Sequence, residues 1–134
     1  MCASLRRASR ALTSLYDEAL RPLRLRATQF TVLQSLSLAG EVTQGVLGRM
    51  LAMDSTTLTR TLGIMVQHGW IVRRPGDDRR EWRIRLSRAG EIQLKRALPH
   101  WRRVQTQLRT QLGNEVWESV LKLTNKVTDT IATE

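Results

Sequence analysis

The 134 residues make one domain's worth of chain, and 41% hydrophobic residues are enough for one core, which excludes a disordered tail protein. Lysine and arginine total 22 against 12 acidic residues, a net charge of +10 that points to a polyanionic partner. One cysteine, Cys2, and two histidines, His68 and His100, exclude an internal disulfide and a zinc cluster and leave little for a catalytic site.

No enzyme, metal or cofactor is therefore expected. No apolar run approaches the roughly 20 residues of a spanning helix, and Arg6 and Arg7 interrupt the N-terminal stretch before it could serve as a secretory signal. The expectation is a cytoplasmic protein without a membrane partner.

Apolar residues Leu5, Ala8, Leu12, Leu15, Tyr16 and Ala19 recur at helical spacing, and Pro22 ends this first helix. Thr28 is the predicted cap of a second helix carrying Phe30, Leu33 and Leu36, closed by Gly40. A short third helix should start at Thr43 and bury Val46, Leu47, Met50 and Leu51. Asp54 or Ser55 can cap a fourth, with Leu58, Leu62, Met65 and Val66 inward and Gly69 past its end.

Trp70 to Arg74 then reads as a strand, Pro75 to Asp78 as a turn, and Glu81 to Leu86 as a second strand with Trp82, Ile84 and Leu86 on its buried face. Ser87 caps a long basic helix, which Pro99 should interrupt, and whose continuation carries Trp101, Val104, Leu108 and Leu112. Gly113 and Asn114 break it. The last helix has Val116, Trp117, Val120, Leu121, Val127 and Ile131 on its apolar side. The fold class is mainly α with a small β-hairpin, an α+β arrangement.

Helix, helix, short helix, helix, hairpin is the order of a winged helix-turn-helix, in which the second helix of the helix-turn-helix pair enters the major groove of double-stranded DNA. The start of that helix holds Ser55, Thr56, Thr57, Thr59 and Arg60: small hydroxyls that allow close approach, and a guanidinium that can grip guanine bidentately. Simple helix capping is the alternative reading of the threonines. Six arginines, Arg73, Arg74, Arg79, Arg80, Arg83 and Arg85, face three acids across the hairpin, a cationic finger suited to a narrow minor groove. The alternative there is a charged edge strand protected from aggregation.

Taken in order, Thr43 to Gly48, Asp54 to Arg60, Gly69 to Arg74, Asp78-Arg79-Arg80 and Ile84 to Gly90 resemble the MarR family of transcription regulators over almost the whole chain. The resemblance implies a single domain over 1–134. Its winged-helix DNA-binding region would run from about 28 to 90, with dimerisation helices over about 1–21 and 91–134. It further implies a homodimer on a pseudo-palindromic operator, acting as a repressor that a small organic effector or oxidation releases. Asp78 would orient the wing and Arg80 would reach the minor groove. The stripes of the first, fifth and sixth helices agree, because they carry more apolar surface than one winged domain covers. A nonspecific architectural nucleic-acid-binding protein is the alternative function.

Two candidate sensors remain. Cys2 and Tyr16 are similar to residues in the first helix of the family's organic-hydroperoxide-sensing branch, although Arg6 and Ala27 stand where that branch has tyrosines. A nearby Arg6 would favour the reactive thiolate, whereas a fraying helix end would leave an inert thiol. Tyr16, Trp82, Trp101 and Trp117 are candidates to line an effector pocket, with ordinary core packing as the alternative.

Overall fold

The computed structural model describes residues 1–132, so Thr133 and Glu134, the end of the expected 91–134 segment, lie outside the described residues. Helix α1 spans Cys2–Leu20 and gives way to a 3-10 turn, Arg21–Leu23, whose Pro22 occupies a position where no amide hydrogen is needed. Helix α2, Ala27–Ala39, starts one residue ahead of the predicted cap, which places Thr28 inside its first turn. The cap comes from elsewhere. The Arg26 N–H donates to Gln29 Oε1 at 2.9 Å, and the Ala27 N–H donates to Asp17 Oδ1 of α1 at 2.7 Å. A carboxylate on a neighbouring helix thus does the work assigned to a local hydroxyl.

Strand β1, Val42–Thr43, was not predicted, since two residues carry no alternation to detect. Helix α3, Gln44–Leu51, begins where expected, with Thr43 Oγ1 accepting the Val46 N–H at 3.2 Å. Helix α4, Ser55–Gln67, is capped by Asp54 rather than Ser55. Leu47, Leu58, Leu62 and Met65 are buried as predicted, but Met50 and Val66 are exposed. The two lie at the outer margins of the apolar stripes of α3 and α4.

Strands β2, Ile71–Pro75, and β3, Trp82–Leu86, form the hairpin, and β3 lies between β1 and β2 in an antiparallel sheet. The register sets Ile71 opposite Leu86 and Arg74 opposite Arg83, while Val42 of β1 faces Ile84. Helix α5, Arg88–Leu112, runs unbroken through Pro99, contrary to the predicted interruption. Proline removes one hydrogen bond to the Lys95 carbonyl, and both residues are exposed, so water can satisfy the orphan acceptor. Helix α6 is Asn114–Ala132. No helix among the described residues is long and apolar enough to cross a membrane.

The core joins Phe30, Leu33 and Leu36 of α2 to Leu58 and Leu62 of α4, Ile84 of the hairpin, and Leu94 and Ala97 of α5. It is therefore shared between the segment from α2 to the hairpin and the first half of α5. Gln93, also buried, ties α5 to the 3-10 turn by donating to the Leu23 carbonyl at 2.8 Å.

At the hairpin's root, Ser87 Oγ accepts the Gly90 N–H at 3.0 Å and donates to the Gly69 carbonyl. Gly90 packs so closely that an added Cβ would lie 1.9 Å from the Trp70 carbonyl oxygen. Backbone, not a mobile side chain, is in the way. Gly90→Ala should therefore cost about 3 kcal/mol of stability, at the upper end of overpacking penalties, measured by denaturant unfolding. A wild-type midpoint would show that this junction is not closed in solution.

Helix α6 buries no residue in the single chain. Val116, Val120 and Leu121 are 43–46% exposed, and Leu5 and Leu12 of α1 and Leu112 of α5 are also exposed. A stable monomer rarely leaves such a set uncovered.

Candidate nucleic-acid interface

At the start of α4, Asp54 fixes the helix by accepting the Thr57 N–H and the Thr57 hydroxyl, both at 2.8 Å. These bonds, the backbone one foremost, hold the Asp54 carboxyl below its ordinary pKa. Thr57 is thus engaged in capping, which is the bland reading for that residue. Ser55, Thr56, Thr59 and Arg60 are exposed. Thr59 Oγ1 accepts from Gln44 Nε2 at 3.0 Å, which braces the start of α4 against the first residue of α3.

The hairpin divides its arginines into two sets. Arg79 and Arg80 are exposed at the tip and form no ion pair among the described residues. Asp78 Oδ1 accepts the Arg80 N–H at 3.1 Å, and the Asp78 carbonyl accepts the Glu81 N–H at 2.9 Å, so Asp78 shapes the turn that displays Arg80. Nearer the root, Arg73 lies 4.8 Å from the centroid of the Trp82 ring, a cation–π contact. Arg74 makes a bidentate pair with Glu41, at 2.7 and 2.9 Å, and Arg83 reaches the same carboxylate at 3.4 Å.

Sequence reasoning missed Glu41. Its signal was indirect: Arg74 and Arg83 oppose each other across the hairpin, and like charges in that register require a counterion. The Arg74 hydrogen bonds, with smaller help from Arg83, lower the Glu41 pKa from 4.5 to about 2. Because the folded value is depressed, the stability Glu41 contributes is complete above about pH 4.5 and is lost as pH falls through about 2. A carboxyl-detected NMR titration should find Glu41 still ionised at pH 3. An ordinary titration near 4.5 would mean that the pair is open in solution.

A cleft of about 770 Å³ separates the helix-turn-helix from the hairpin and is lined by Gln44, Arg49, Ser55, Arg80 and Trp82 among others. The fold thus brings the start of α4 and the wing to one side of the molecule. Trp82, 41% exposed, belongs to this cleft and is not on the buried face predicted for it. It lies apart from the other candidate pocket residues because it ends the sheet beside the turn, beyond the core that Ile84 enters.

Tyr16 and Trp101 do come together, with Ala27, Phe30 and Thr31, around a cavity of about 200 Å³. Phe30 stacks on Trp101 at 5.7 Å, Tyr16 donates its hydroxyl to Gln105 Oε1, and burial raises the Tyr16 pKa. Trp117 of α6 is not among the cavity's lining residues. Cys2 is exposed at the first residue of α1. Fourteen residues of helix, at about 1.5 Å each, set it roughly 21 Å along the axis from Tyr16, so the two cannot act as one site within a single chain. Among the described residues no group of three or more His, Cys, Asp or Glu could hold a metal ion.

A helix-turn-helix followed by a cationic hairpin defines a winged-helix protein. The family model described as "MarR family" matches residues 25–82. The M. tuberculosis transcriptional regulator MosR, solved in complex with DNA, is 35% identical, with a TM-score of 0.89 over 98% of this chain and 96% of that one. A mutant E. coli MarR complexed with operator DNA is 27% identical, with a TM-score of 0.83 over 93% and 91% of the two chains. An uncharacterised regulator of Bacillus subtilis, YwoH, is 32% identical over 83 residues, 62% of this chain and 61% of its own length. The chain matches less than two thirds of the length of such curated relatives. It belongs to the MarR family of winged helix-turn-helix transcription regulators.

Proposed function

We propose that the chain is a cytoplasmic, sequence-specific DNA-binding regulator that acts as a homodimer, most simply as a repressor on a pseudo-palindromic operator. One observation carries this reading: Ser55, at the hydroxyl-rich start of α4, and Arg80, at the wing tip and in no ion pair among the described residues, line a single cleft on a chain of net charge +10. Major-groove reading by α4 and minor-groove insertion by the wing then occur from one docked position. The DNA complexes of MosR and of the E. coli MarR mutant support it.

The region from about 28 to 90 is the DNA-binding unit in this reading, and the exposed apolar stripes within 1–21 and 91–134 are the dimer interface. Selection from random duplexes, followed by competition, tests it. A specific regulator enriches one pseudo-palindrome and binds it at least about a thousandfold tighter than random duplex. Comparable affinity for both would favour the architectural alternative.

Release of DNA by a small organic effector is favoured by the aromatic cavity of Tyr16, Phe30 and Trp101. Oxidation at Cys2 is the second route, favoured by that thiol's exposure. If Cys2 is the sensor, peroxide releases the operator from the native protein and leaves Cys2→Ser bound.

A further inference from the structure

We propose that Glu41 is a positioning residue for DNA recognition: by clasping Arg74 and Arg83 it fixes the angle of the wing relative to the recognition helix. The inference rests on the DNA-binding reading above. Glu41 stands immediately before β1, and β1 leads directly into the Thr43 cap of α3. The backbone joins the hairpin to this segment through just two residue pairs, Val42 with Ile84 and Thr43 with Arg83.

The core holds the hairpin at its root, through Ile71 and Ile84, but so short a strand leaves little backbone pairing to set the direction of its outer half. The side chain of Glu41 adds what the ladder lacks, since its two oxygens engage both hairpin strands at once: Arg74 of β2 bidentately and Arg83 of β3. Bidentate guanidinium–carboxylate pairs fix direction as well as distance.

The same clasp decides which arginines are available. Arg74 and Arg83 face each other across the strands, where two uncompensated cations repel and splay. Bridged by Glu41, whose negative charge lies between them and offsets their repulsion, they form the base of the wing, and the cations held clear of the clasp at the tip are Arg79 and Arg80. A wing aimed by this base can enter the minor groove while α4 lies in the adjacent major groove. Without it the wing still carries its charge but not its direction.

Loss of direction penalises the one duplex that requires both elements to fit, whereas random DNA needs only charge. Glu41→Gln should thus weaken binding to the selected operator about tenfold while random duplex binds equally well or more tightly. Arg74→Gln opens the clasp from the other side with the opposite change in net charge, so the same fall in the operator-to-random ratio would assign the effect to geometry.

Circular dichroism and thermal melting of both variants establish that they are folded. An equal loss on both duplexes, or no change in the ratio for either variant, would overturn the inference. Wild-type protein that fails to distinguish operator from random duplex would instead defeat the DNA-binding reading on which it stands.

Discussion

Leu121→Glu is expected to give a folded monomer under conditions where the wild-type chain sediments as a dimer. Leu121 is 46% exposed on a helix with no buried residue, so the charge disturbs little inside one chain. In a symmetric interface the loss occurs twice. Burying a leucine side chain is worth about 1.5–3 kcal/mol, so two losses weaken the dimer by roughly two to four powers of ten, before any penalty for burying the new carboxylates. Operator binding should fall with it, because one half-site supplies half the contacts. Sedimentation across a micromolar concentration range, with circular dichroism to verify the fold, reads the result. An unchanged dimer would place the interface elsewhere, and a monomeric wild type would remove it altogether.

Elements whose signal is local were legible in the sequence. Apolar spacing placed the helices, the caps of α3 and α5 fell on Thr43 and Ser87, and the alternation of Ile84 and Leu86 located β3. Features made by distant parts of the chain were not. Asp17 caps α2 from another helix, Glu41 gathers arginines 33 and 42 residues away, and β1 exists because β3 is there to pair with it.

Pro99 misled in the opposite direction: proline costs a helix one hydrogen bond and crowds the preceding turn, and here, with Lys95 and Pro99 exposed, water can take the freed carbonyl while α5 continues. Trp82 shows how strand alternation fails near a turn, where the sheet ends and no layer remains to cover the side chain. Of the six wing arginines the family resemblance singled out Arg80, but that Arg74 and Arg83 are clasped by Glu41 rather than free emerges only from the hairpin register and the fold.

Arg60→Ala and Arg80→Ala should damage DNA binding in different ways. Arg60 is exposed on α4, one residue past Thr59 and on the element that enters the major groove in the docking proposed here. A guanidinium there that pairs with a guanine edge is worth about 1–3 kcal/mol, so Arg60→Ala should weaken operator binding by that amount and relax base choice at one position per half-site. Random duplex should respond much less. Arg80 stands at the wing tip, where Asp78 holds its backbone and its side chain is exposed. From there it reads groove shape and phosphate charge, so Arg80→Ala should weaken both duplexes by comparable factors. A dimer loses two such contacts, and the slope of log K against log salt should become shallower by about two. Both variants are measured on both duplexes across a salt series. If Arg60→Ala weakens random DNA as much as operator, α4 is not the reading element and the docking of this winged helix must be reversed.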